Sequence, residues 1–227
     1  VTDSTFTSNV SSSTGGAINS TDYATLNIDS VEFEGNYSQY GAAVYHRERG
    51  ELVIRDSTFS ANEGEYAAAL RWYGDSSSAR ASIESNTFTN NAVSSWGGAI
   101  GAYDGGFLSF VDNEFSGNSA GEEGGAIYVD EVDDVEAVGN LFCANESYGA
   151  DGGAVYAIAD TNSGSATFTN NLFIENYSAD DGGGLFLYGD ANGVVRNNDF
   201  LGNEAADNGG GLYVNMDDLQ VSNNISA

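Results

Sequence analysis

At 227 residues with 41% hydrophobic content, the chain is long enough to bury an ordinary core, and thirty glycines, no proline and 12% aromatic residues favour strands and turns over helices. Thirty-four acidic residues against six arginines and no lysine give a net charge of −28, which excludes nucleic acid and anionic membrane surfaces as partners. No apolar run reaches the roughly 18 residues that a bilayer-crossing helix needs.

In chain order the first element is Phe6-x-x-Asn9, and it returns at Phe33, Phe59, Phe88, Phe115, Phe142, Phe173 and Phe200. Successive starts lie 27, 26, 29, 27, 27, 31 and 27 residues apart. After each comes a second element: Gly15-Gly16-Ala17-Ile18, Gly41-Ala42-Ala43-Val44, Ala67-Ala68-Ala69-Leu70 and Gly97-Gly98-Ala99-Ile100 in the first half. The second half carries Gly124-Gly125-Ala126-Ile127, Gly152-Gly153-Ala154-Val155, Gly182-Gly183-Gly184-Leu185 and Gly209-Gly210-Gly211-Leu212, and a ninth turn begins at Asn223-Asn224-Ile225. Between these motifs lie short alternating runs such as Thr25-Leu26-Asn27-Ile28, bounded by Gly, Asn, Asp and Ser.

A period of 26 to 31 residues with about three short strands matches one coil of a parallel β-solenoid. The sequence therefore predicts a single all-β domain over residues 1–227, with eight coils about 4.8 Å apart forming a rod about 40 Å long. Leucine-rich and helical repeats are excluded by the missing periods, and the nine-residue calcium repeat by its shorter one. Stacking in register puts the eight phenylalanines in an internal column, each buried ring contributing roughly 1.5–3 kcal/mol. Asn9, Asn36, Asn62, Asn91, Asn118, Asn145, Asn176 and Asn203 are expected to form an amide ladder, and Asn also tolerates the left-handed conformation where a bend needs it. The ladder also explains the asparagines of four Asn-x-Ser triplets, at Asn9, Asn36, Asn145 and Asn176, which otherwise read as glycosylation acceptors. The Gly-Gly-Ala stretch permits close backbone approach.

The paired Gly-Gly-Ala-Ile and Phe-x-x-Asn motifs resemble the repeats of polymorphic outer membrane proteins, the chlamydial-type autotransporter passengers, across essentially the whole chain. The resemblance implies a right-handed parallel β-helix, part of a larger surface or secreted protein, displayed extracellularly or at a bacterial outer surface and used in adhesion. The partner it implies is a protein or glycan of a host or neighbouring cell. No catalytic residue transfers, because these motifs build the scaffold, and the missing lysine and extreme acidity depart from the family.

Functional residues are expected where a column breaks its pattern. The residue before the Gly-Gly position runs Thr14, Tyr40, Tyr66, Trp96, Glu123, Asp151, Asp181 and Asn208, turning from aromatic to acidic midway. The residue after the Ile position runs Asn19, Tyr45, Arg71, Gly101, Tyr128, Tyr156, Phe186 and Tyr213, and its tolerance of Asn and Arg predicts that it faces outward. Together they predict a ligand-binding face of Tyr40, Tyr45, Tyr66, Arg71 and Trp96, suited to stacking on sugars or anchoring a protein interface. Five of the six arginines, Arg47, Arg49, Arg55, Arg71 and Arg80, fall in coils two and three, with His46 and Trp72.

The leading expectation is a non-enzymatic adhesin or structural segment. A carbohydrate-active lyase or hydrolase would instead use Arg71 or His46 beside Asp75 or Glu48. A third reading is a calcium-stabilised surface-layer or matrix rod. It rests on Glu123, Asp151 and Asp181, with Asp180 nearby, as the calcium candidate; no other cofactor is required. A further acidic column, Asp22, Glu48, Asp75, Asp104, Glu131, Asp160, Asp190 and Asp217, is explained by Asx turns without an ion. The lone Cys143 has no partner for a disulfide and reads as an incidental small residue.

Overall fold

The computed structural model describes residues 1–22, 24–159 and 164–226. It contains parallel strand pairing throughout, each strand bonding to its equivalents in the coils before and after. Phe6, Phe33, Phe59, Phe88, Phe115, Phe142, Phe173 and Phe200 all pair in register. The fifth and sixth coils have four strand segments each, whereas in the third, fourth, seventh and eighth the Gly-Gly and return strands run on as one, which leaves the expected three. In the fifth coil the four are the Phe strand Glu114–Ser116, the two-residue Ser119–Ala120, the Gly-Gly strand Ile127–Asp130 and a return strand Asp134–Val138. The second type, two to four residues long, forms its own seven-stranded sheet and the rest join a twenty-stranded one.

What bends the chain is a set of left-handed corners. The first lies between each Phe and its Asn: Ser8, Gly35, Ala61, Asn90, Gly117, Ala144, Glu175 and Gly202 have φ from 51 to 63°. The left-handed residue thus immediately precedes the ladder asparagine. A second corner, φ 48 to 70°, ends the return strand at positions such as Ser85, Asp112 and Asn170. The third is the first glycine of each Gly-Gly motif, φ 52 to 73°, where Ala67 accepts 52° in place of glycine. Asp22, Glu48, Asp75, Asp104 and Glu131 hold the turn between the Gly-Gly and return strands at φ 50 to 83°. Asp190 and Asp217 lie within strands without a left-handed φ, and Asp160 lies outside the described residues. The second glycine is required by space: a methyl at Gly98 would sit 1.9 Å from the Gly125 carbonyl oxygen of the next coil.

The Phe rings stack with centroids 4.7 to 5.2 Å apart and planes within 10°. One apolar cluster runs from Ile28 to Phe200. The amide ladder is present, each Nδ2 donating to Oδ1 of the next asparagine at 2.8 to 3.0 Å from Asn9 through Asn203. From Asn36 onward each Nδ2 also donates to a Phe carbonyl of the preceding coil, as Asn118 does to Phe88. The nitrogens that glycosylation would modify in the Asn-x-Ser triplets are therefore engaged. A second ladder, unforeseen from the sequence, joins Asn86, Asn113, Asn140, Asn171, Asn198 and Asn224 at the other corner. Ser57 leads into it through its backbone N–H. Length differences fall where solenoids absorb them: the register shifts at Tyr103/Gly105 and Gly189/Asn192, both in the turn after the Gly-Gly strand.

Candidate functional site

Along the Gly-Gly strand alternate side chains enter the core or leave it, so Leu70 and Trp72 are buried while Arg71 and Tyr73 point outward. Register aligns Tyr45, Arg71 and Gly101 in one outward column and Arg47, Tyr73 and Tyr103 in the next. Tyr40, Tyr66 and Trp96 end the preceding strand or loop and flank the first column, so the five residues expected to form a face do share one side of coils two to four. Tyr45 joins by register, and the other four by direct contact.

Arg71 is the hub of those contacts. Its guanidinium carbon lies 4.7 Å from the centre of the Tyr40 ring, 4.9 Å from Tyr103, 5.0 Å from Trp96 and 5.7 Å from Tyr66. Nε and Nη1 are buried without a hydrogen-bond partner. Arg47 lies 5.2 Å over Tyr73. The single ion pair among the described residues is Arg55–Glu84 at 3.4 Å, on the return strand. Despite the charge of −28, Arg47 and Arg71 are thus held by rings and not by carboxylates.

Ring orientation changes what this face can do. Tyr40 and Tyr66 stack at 5.1 Å with planes 7° apart, close to the spacing between coils, so their planes lie across the rod and their edges face solvent. The faces that would carry a sugar ring are mostly covered by neighbouring rings. Trp96 tilts 53° from Tyr66 and leans over Gly101, where a side chain would meet it at 3.4 Å, to stack on Tyr128 at 4.9 Å. The stack continues through Tyr156, Phe186 and Tyr213. The aromatic stripe therefore does not stop midway: Trp96 carries it from one column to the other.

The polar tips are tuned by their surroundings. A hydrogen bond to Asp104, with burial, pushes the Tyr73 hydroxyl up to about 12. Hydrogen bonding to Glu65 raises that of Tyr66. Burial raises Tyr103 far above the ordinary range, and its hydroxyl has no hydrogen-bond partner.

Where the first column turns acidic, carboxylates take over the ladder role. Asp151 Oδ1 accepts from the Asp181 N–H at 2.9 Å, and Asp181 Oδ1 accepts from the Asn208 N–H and Nδ2 at 2.8 and 2.9 Å. Asp151, Asp180 and Asp181 bring carboxylate oxygens within 4.8 Å of one another, a set that would suit a hard cation. Glu123, one coil earlier, is outside this set. Burial, together with neighbouring carboxylates, raises the pKa of both Glu123 and Asp151.

The pairings considered for a lyase are not assembled around His46. This side chain points inward, fully buried beside Trp72 in register, and both ring nitrogens lack a hydrogen-bond partner. Burial lowers its pKa, opposed by the Gly50 backbone. An inward histidine in the second coil cannot meet a substrate on the outer face.

These features define a parallel β-solenoid with one aromatic and cationic outer face. The chain belongs to the family described as the right-handed β-helix region, whose sequence model matches residues 1–149. No curated protein and no solved structure matches it.

Proposed function

We propose that this right-handed β-helix is a non-enzymatic, extracellular adhesive or structural rod of the polymorphic outer membrane protein type, whose contact surface is the outer face of coils two to four. The observation that carries the reading is Arg71, enclosed by Tyr40, Tyr66, Trp96 and Tyr103 and without a carboxylate partner. Tyr, Trp and Arg dominate binding energy at protein interfaces, and pre-stacked rings lose little conformational freedom on binding. The partner is a surface protein or glycan of a host or neighbouring cell. The test is capture of labelled protein by arrayed cell-surface proteins and glycans: Tyr66→Ala with Trp96→Ala should abolish capture while the circular dichroism spectrum is retained. Unchanged capture by the folded double variant refutes the face.

A second reading, calcium stabilisation, is favoured by the convergence of Asp151, Asp180 and Asp181. It predicts that millimolar calcium raises the melting temperature, that a chelator reverses the rise, and that Asp180→Asn removes it. No rise with calcium rejects it.

A further inference from the structure

We infer that the group recognised on this face is an extended acidic peptide segment with carboxylates two residues apart, docking across Arg47 and Arg71. The inference rests on the proposed contact face and names its ligand chemistry.

Three observations lead to it. The first is charge: Arg47 is exposed and Arg71 partly exposed, and neither forms an ion pair among the described residues. The second is ring orientation. An edge-on aromatic stack presents the positive rim of each quadrupole, which suits an anion, and it offers little open ring face for a pyranose. The third is spacing. Arg47 and Arg71 are one strand apart and two residues out of step, which strand geometry puts at about 8 Å between Cα atoms. Side chains at i and i+2 of an extended peptide leave the same side about 7 Å apart, so one peptide strand presents carboxylates at the matching interval.

The acidity of the rest of the rod contributes to selectivity. At physiological salt the field of distant carboxylates is screened within about 8 Å, so the local arginines decide the encounter. Elsewhere along the rod an acidic segment meets like charge, so binding at shifted positions is disfavoured and the docking register is fixed.

The test is a calorimetric titration of the intact chain with acetyl-Glu-Ser-Glu-Ser-Glu-amide, its glutamine counterpart and an oligo-glucuronate of similar length. Tryptophan emission follows the same titrations, since Trp96 lies on the face and Trp72 in the core. The glutamate peptide should bind at least tenfold more tightly than the glutamine peptide. Arg47→Gln, at an exposed position that leaves the core untouched, should weaken it by about tenfold, and so should Arg71→Lys, which keeps the charge but loses the flat guanidinium held among the rings. Equal binding of the two peptides, or indifference to Arg47→Gln, overturns the inference. Tighter binding of the glucuronate overturns it in favour of an anionic glycan. If the glutamate peptide fails while the Tyr66→Ala, Trp96→Ala variant still loses surface capture, the contact face stands and only its acidic ligand falls.

Discussion

Replacing Arg71 with methionine separates a binding residue from a structural strut. Four ring contacts at roughly 0.5–1 kcal/mol each support the guanidinium with about 2–4 kcal/mol. Against this, two buried nitrogens without partners, Nε and Nη1, cost about 1–3 kcal/mol each, or about 2–6 kcal/mol together. The two contributions nearly cancel, and a methionine thioether regains sulfur–aromatic contacts of about 0.3–1.5 kcal/mol. Arg71→Met should therefore leave the stability within about 2 kcal/mol of the parent, on the stabilising side. The assay is equilibrium unfolding in guanidinium chloride, with the midpoint and slope of both proteins measured at the same pH and salt. A loss above about 3 kcal/mol would refute the reasoning, because the arginine would then serve the fold. A neutral or stabilising result combined with lost binding places it among residues kept for recognition at the expense of stability.

Asn118→Ala removes the acceptor for Asn91 N–H and Nδ2 and the donor to the Phe88 carbonyl, all buried, so unfolding measurements should report a loss of about 3–5 kcal/mol. Asn9→Ala, at the partly exposed end of the ladder, should cost less than about 1.5 kcal/mol; equal losses would contradict the ladder account. Ala67→Gly should stabilise by about 1 kcal/mol, seen as a rise of about 2–4 °C in melting temperature, because alanine at φ 52° is strained where the other seven coils have glycine. For His46, burial lowers the folded-state pKa below the unfolded value. Its stabilising contribution is full above about pH 6.5 and is lost as pH falls through the folded value. Glu123 and Asp151, with raised pKa values, act in the opposite sense on acidification, in parent and variant alike. The melting temperature of the parent minus that of His46→Leu should therefore fall between pH 7.5 and 5, and a constant difference would contradict the burial argument.

Much of the architecture was legible because its columns repeat identical residues: eight Phe, eight Asn and eight Gly-Gly-Ala variants admit one stacking register. The second ladder was also written in the sequence, as Asn two residues before Phe88, Phe115, Phe142, Phe173 and Phe200. It was masked because Ser57, Val31 and Ser4 stand there in the early coils. The face residues were legible as departures from a column, but the orientation of their rings was not, since a list of aromatic residues does not say whether neighbours cover their faces. Nor was the continuity of the stripe, which depends on Gly101 vacating a place that the longer Trp96 side chain reaches. His46 was misread as a surface candidate because its neighbours Tyr45 and Arg47 are outward, and in a strand that alternation sends the residue between them into the core.

The two asparagine ladders have a direction. Every rung donates from one coil to the acceptor of the coil that follows it in sequence, and none runs the other way. A chain emerging from the ribosome would thus finish each coil with amide hydrogens still waiting, to be met only when the next coil closes over them. Assembly in that order behaves like a ratchet: each turn laid down quiets the one beneath it and leaves a fresh, unquenched surface on top.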